Sequence, residues 1–278
     1  MDALHILAHA SKGGWAPDGD DRCLVDRDLG LLLVANGSGP KYGGYHAPFG
    51  LDPGLDAFRS TFASSSDSEP ARLLGALAAA DATMRRLGAE YERLFEVERS
   101  RSPDHPMEAA LRAADTVRPK RWSHLRSHCH FAGGITACSI QASGALCFVQ
   151  VGSGRAYVLR DGRLRSVVKD HTLLTRMEEG EVSMDGMDCR DNAIFYRHIV
   201  TQLLGTGDHL KPECAQEHLD PRDRVLVCTE GVWNHDRGEE SVLQLLAATP
   251  ADFRKLLDAT ARGCMLDATA IRFSLRDA

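Results

Sequence analysis

No stretch of this chain approaches the roughly 20 consecutive apolar residues that a membrane-crossing helix requires. Met1 to Ala10 has neither the basic start nor the apolar run of a secretion signal. The expectation is a soluble, cytoplasmic protein with no membrane partner. The eight cysteines contain no CxxC pair, which removes the commonest zinc and thiol-redox spacing. Cys23, Cys138, Cys147 and Cys228 fall inside strand-like runs, where cysteine behaves as a small hydrophobe, so reduced and mostly buried thiols are expected. Lys and Arg are dispersed rather than gathered into a stripe, and a net charge of −6 is mild. Nucleic acid is therefore not implied as a partner. No solenoid-type repeat is present. What remains is a chain of 278 residues, 43% hydrophobic, able to bury a substantial core, and nothing in it marks a break between domains. A single domain over residues 1–278 is expected.

Cys23 to Val25 and Leu29 to Ala35 read as a hairpin turning at Asp26-Arg27-Asp28, and the near-continuous apolar run of the second strand implies burial on both faces. Gly37 to Gly54 is loop-like, and Leu55 to Phe62 is a short helix. Past Pro70, Leu73, Leu77, Met84, Leu87, Tyr91 and Leu94 share one helical face, which predicts a long helix lying on a sheet. A further helix is read over Met107 to Val117, and Arg118 to His130 looks like a basic surface connection. Ile135–Gln141, Ala145–Val151, Arg155–Arg160 and Arg163–Val168 are short β-rich runs with tight turns, which predict an antiparallel meander. Helices follow at His171–Glu179 and Phe195–Leu204, then a strand at Arg224–Thr229. Helices at Glu239–Ala247 and Ala251–Arg262 precede a last strand at Thr269–Leu275. Runs of strands followed by helices indicate an α+β fold with antiparallel sheets and helices outside them.

Three separated stretches each carry a hydrophobic strand into a turn of small residues bearing one polar side chain. They are Leu31–Gly39 (LLLVANGSG), Val151–Leu164 (VGSGRAYVLRDGRL) and Asp223–Trp233 (DRVLVCTEGVW). These resemble, in order, the ADGMGG, VGDSRAYLLRDG and DRLLLCSDGL turns of the PPM (protein phosphatase 2C-type) metal-dependent serine/threonine phosphatases, and the resemblance runs from about Gly13 to Leu275. It implies a four-layer α/β/β/α sandwich of two antiparallel sheets. It also implies phosphomonoester hydrolysis by water activated between Mn²⁺ or Mg²⁺ ions, with no protein nucleophile.

Carried over residue by residue, the resemblance places Asp20 and Asp21 on the first acidic element and Ala16 on the phosphate-gripping arginine. An acidic solvated turn is the alternative for Asp20 and Asp21, with Asp18 beside them. Asn36 stands where an aspartate bridges two metals, so one carbonyl oxygen replaces a carboxylate. Gly37 matches the glycine whose carbonyl is a ligand, and equally suits a turn. Ser153 replaces an aspartate of an accessory metal position. Glu230 replaces another aspartate and pushes its carboxylate out by about 1.5 Å. Near the C-terminus, Ala261–Ile271 (ARGCMLDATAI) resembles ARG-x-x-DNATAI; either Leu266 falls on the metal aspartate or a one-residue slip brings Asp267 there.

Asp170-His171-Thr172 matches a turn expected to cap the following helix. His124, His128 and His130 with Cys129 could bind zinc, or could contact an anionic partner beside Arg121 and Arg126. Trp15, Met184, Met187 and Trp233 would flank the old catalytic face and are the expected partner-binding residues. The losses at Asn36, Ser153, Leu266 and Ala16 together predict a pseudophosphatase, with weak or no activity, that binds a phosphoprotein or a kinase-pathway partner. The alternative is a divergent active Mn²⁺- or Mg²⁺-dependent phosphatase built on Asp18, Asp20, Asp21, Glu230 and Asp267.

Overall fold

The structure, a computed structural model, describes residues 4–11, 21–38, 51–101, 132–182, 196–206, 210–235, 237–264 and 266–275. Along the chain come β1 (Leu4–Ser11), β2 (Asp21–Asp26), β3 (Leu31–Ser38), α1 (Leu51–Ser64), α2 (Ala71–Arg101), β4 (Ala132–Ile140), β5 (Ala145–Val151), β6 (Arg155–Arg160) and β7 (Arg163–Ser166). Then follow α3 (Leu173–Glu178), β8 (Glu213–His218), β9 (Arg224–Cys228), α4 (Glu230–Trp233), α5 (Gly238–Ala247), α6 (Pro250–Cys264) and β10 (Ala268–Leu275). The strands form two five-stranded antiparallel sheets, ordered β1-β10-β9-β6-β7 and β2-β3-β4-β5-β8. Among the described residues no helix is long and apolar enough to cross a membrane.

Three apolar layers bind four layers of structure. Phe58 and Phe62 of α1 and Leu73, Leu77 and Met84 of α2 pack on Leu31, Leu33 and Ala35 of β3. Between the sheets, Leu32, Val34 and Phe148 meet Val225, Val227, Ile271 and Phe273. On the far side, Leu226 and Cys228 pack under Val232, Val242, Leu245, Phe253 and Leu257. Strand β3 thus feeds alternate side chains into two different layers, which is why its sequence is continuously apolar. Each of the Val, Leu, Ile, Phe and Met side chains among these contributes about 1.5–3 kcal/mol by leaving water.

Two expectations need correction. The four short strands from β4 to β7 are not one meander: β4 and β5 belong to one sheet and β6 and β7 to the other, with the chain crossing at residues 152–154. The helix read at Phe195–Leu204 is not found over its described residues, 196–204. Past a single helical step at residues 196–197, Val200 bridges to Thr172 and Leu204 to Gly133, so tertiary pairing overrides local preference. Strands β1 and β8 had no counterpart in the sequence reading. The helix read at Met107–Val117 and the cluster of His124, His128, His130 and Cys129 lie outside the described residues.

The described cysteines are free thiols. Burial pushes Cys147 up to about 11 and Cys228 up to about 12, so both remain unreactive at neutral pH.

Helix α6 is tied to the edge strand β1 by one carboxylate. Asp258 Oδ1 lies 2.9 Å from His9 Nε2 and accepts from Ser11 Oγ at 2.7 Å. The His9 hydrogen bond, against a smaller opposing effect of burial, holds the Asp258 carboxyl below the usual carboxylate range. The sign follows from linkage. A depressed folded-state pKa gives stability that is present above the unfolded carboxylate value and is lost as pH falls through the lower folded one. Asp258→Ala is expected to cost about 1 kcal/mol at neutral pH, solvent screening of this partly exposed pair keeping the effect small. Urea unfolding should show the deficit closing below roughly pH 3.

Candidate functional site

The three strand-to-turn motifs converge on one rim of the sandwich. Asp21 opens β2 directly opposite Asn36 near the end of β3, and Asn36 in turn faces Gly134 at the start of β4. Beside them lie the crossover at residues 152–154 and the turn from β9 into α4.

Asn36 is committed within the protein. Its Nδ2 donates to Ser153 Oγ at 3.2 Å. Its Oδ1 sits over Gly134 so closely that a Cβ there would lie 2.4 Å from it. Ser153 is fully buried, and its carbonyl accepts the indole N–H of Trp233 at 3.0 Å. Gly37 pairs with Gly133 in the β3–β4 ladder. Asp21 Oδ2 accepts from the hydroxyl of Thr229 at 2.5 Å.

Glu230, the first residue of α4, is also engaged. Its Oε1 accepts from Asn234 Nδ2 at 2.7 Å and lies 2.8 Å from His198 Nδ1. The C-terminal segment closes over this turn. A Cβ on Gly231 would come within 2.1 Å of the Asp267 carbonyl oxygen, and Cys264 Sγ donates to the Gly231 carbonyl at 3.1 Å. Burial pushes the Cys264 thiol up, and the charges of Glu230 and Asp21 add to the shift. Leu266 and Asp267 are both half-buried.

Behind the rim, Arg155 organises a buried ion pair. Its Nε and Nη2 donate to Asp170 Oδ2 at 2.8 and 2.5 Å, and its guanidinium carbon lies 3.4 Å from the centre of the Trp233 ring. Asp170 Oδ1 accepts from Thr172 N at 3.1 Å and from Thr175 Oγ1 at 2.8 Å. Thr172 Oγ1 accepts from Thr175 N at 3.2 Å, so this turn caps α3 as its sequence predicts. His171, held neutral chiefly by burial, accepts from Gly152 N at 3.3 Å.

The structure therefore brings Asp21, Asn36, Gly37, Glu230, Asp267 and Trp233 to one rim; Trp15, Asp18, Asp20, Met184 and Met187 lie outside the described residues. Thr229, His198, Asn234 and Gly134 escaped the sequence reading. Thr229 was visible as the residue before Glu230 in its turn and Asn234 lies one helical turn beyond it, but His198 and Gly134 are assigned by partners remote in sequence.

A pair of divalent cations needs several converging anionic oxygens. Among the described residues no group of three or more His, Cys, Asp or Glu converges in that way. The Asp21 carboxylate accepts from Thr229, Glu230 is engaged by Asn234 and His198, and the neutral Asn36 and Ser153 are joined by a bond from the Asn36 amide nitrogen to the Ser153 hydroxyl. The described residues by themselves do not supply the donor set of a two-cation centre.

No family model matches the chain. Among curated proteins, the serine/threonine protein phosphatase PstP of Mycobacterium tuberculosis is 29% identical over 115 residues, 41% of this chain and 21% of that protein. The match thus spans about a fifth of the length of that relative. Among solved structures, the PPM Ser-Thr phosphatase MsPP of Mycobacterium smegmatis, in complex with cacodylate, superposes with a TM-score of 0.65 at 21% identity, covering 98% of both chains. The catalytic domain of PstP in complex with two manganese ions gives 0.65 at 19% identity, covering 99% of both. Stp1 of Staphylococcus aureus gives 0.65 at 15%, covering 99% of this chain and 96% of that one. The chain has the fold of the PPM serine/threonine phosphatases, as the resemblance of its turns implies.

Proposed function

We propose that this chain is a pseudophosphatase: a PPM-fold protein that binds a phosphoprotein or kinase-pathway partner in the cytoplasm, with weak or no phosphomonoester hydrolysis of its own. The observation that carries this reading is the direct bond between Asn36 and Ser153. Two positions that hold carboxylates in the family it resembles here hold neutral side chains that satisfy each other. A cation placed there would meet too little negative charge to offset its desolvation. The partner would dock on the rim that presents Glu230 and His198, with Trp15, Met184 and Met187 as flanking contacts and Trp233 supporting the rim from beneath.

A second reading, an active divergent Mn²⁺- or Mg²⁺-dependent serine/threonine phosphatase, draws support from two carboxylates kept at the rim, Asp21 being bonded to Thr229, the residue next to Glu230. One assay separates the two. Hydrolysis of an aryl phosphate and of a phosphothreonine peptide is measured with saturating Mn²⁺ or Mg²⁺. The expected result is turnover no greater than that of Glu230→Ala; robust turnover that this substitution abolishes would establish the enzyme instead.

A further inference from the structure

We infer that Thr229 is the clasp that ties the two sheets together at the rim, and that Asp21 serves as its structural acceptor rather than as a metal ligand. This goes beyond the proposed function and does not depend on what the partner is.

Thr229 is 1% exposed and stands at the end of β9, yet its one hydroxyl reaches two other strands. It donates to Asp21 Oδ2 at 2.5 Å and accepts from Thr269 N at 3.0 Å. Its own N–H donates to the Thr269 carbonyl at 2.9 Å. Strands β9 and β10 belong to one sheet and β2 to the other, so the bond to Asp21 crosses between sheets at the rim. The Asn36–Ser153–Trp233 chain of hydrogen bonds makes a parallel tie from β3, through the crossover, to α4. A hydroxyl can serve this node because it donates once and accepts as well, and because its acceptor here is charged, which strengthens the bond.

The consequence is a rim that closes without metal. The test is the melting midpoint of the full chain in Mn²⁺ and in EDTA, for the wild type, Thr229→Val and Thr229→Ser, with amide exchange of Thr269 as a local reading. The wild type should melt at the same temperature in both solutions. Thr229→Val, nearly the same shape without the hydroxyl, should melt roughly 3–6 °C lower in both, and Thr229→Ser should keep most of the wild-type value. The Thr269 amide should exchange on the order of tenfold faster in Thr229→Val, because it loses its acceptor. Should Thr229→Val not fold, Asp21→Asn replaces it, and a fall smaller than that of a missing hydroxyl is expected because the amide oxygen still accepts.

Two results would overturn the inference: a wild-type midpoint that rises by several degrees in Mn²⁺, as linkage requires of a cation bound to the native state, or hydroxyl removal that moves neither the midpoint nor the Thr269 exchange.

Discussion

Replacing Arg155 with alanine is expected to cost about 3–5 kcal/mol of folding stability at neutral pH, because it strands a buried carboxylate. The Asp170 side chain is only 2% exposed. Burial alone would raise its pKa, yet the charge of Arg155 and the hydrogen bonds from Thr172, Thr175 and Arg155 outweigh that effect and leave it below the usual carboxylate range. The native contribution is thus present above the unfolded carboxylate value and is lost as pH falls through the lower folded one. Without Arg155 the balance reverses, burial dominates, and Asp170 resists ionisation. The deficit of the variant should therefore be largest near pH 7 and shrink towards roughly pH 4, where a protonated Asp170 is cheaper to bury. Guanidinium unfolding at the two pH values measures this directly. Arg155→Lys should recover only part of the loss. An ammonium neutralises the charge but cannot make both bonds to Asp170 while lying flat on the Trp233 ring.

The second large effect is steric. Gly231→Ala is expected to destabilise the protein by roughly 3 kcal/mol, at the upper end of overpacking costs. The added methyl would meet the Asp267 carbonyl oxygen at 2.1 Å and the carbon behind it at 2.9 Å. Both are main-chain atoms, so no rotamer change relieves the clash; α4 and the approach to β10 must part. Glu230 would leave His198 and Asn234, and partner binding should weaken together with the fall in melting temperature. Gly75→Ala in α2 is the control. Nothing lies within 4 Å of its new methyl, and the better helix propensity of alanine should raise stability by about 0.5–1 kcal/mol.

Much of the fold was legible because burial writes itself into sequence. The unbroken apolar run of β3 marks a strand covered on both faces, and the spacing of Leu73, Leu77 and Met84 marks the helix that covers one of them. The cap formed by Asp170 and Thr172 was readable because its partners lie within five residues. The transfer of the chain between sheets at residues 152–154 was not, since a tight turn looks alike whether the next strand returns beside the last or crosses to the facing sheet. Strand β8 (ECAQEH) is a mostly polar edge strand created by pairing with β5, and no local signal announces it. At the rim, the identities of Asn36, Ser153 and Glu230 could be read from the chain, but their occupants could not. Asn36 and Ser153 are 117 positions apart, and Thr229 and Asp21 are 208 apart.

The two-sided burial of β3 also bears on how alignment is kept during folding. A strand with one greasy side resists slippage, because moving by one residue exposes its whole apolar set. Strand β3 has no such safeguard, since a shift would simply exchange one set of leucines for the other. The turn that precedes it must supply the missing constraint. Gly30 takes a φ of +66° and its carbonyl accepts from Ile140 N at 2.8 Å, with a Cβ there falling 2.4 Å from the Ile140 oxygen. Asp26 holds the other side of the turn by accepting from Leu29 N at 3.1 Å. A side chain at position 30 would thus loosen a ratchet at one end of the strand, and the misplacement would emerge at the opposite end as Asn36 shifted out of step with Asp21 and Ser153.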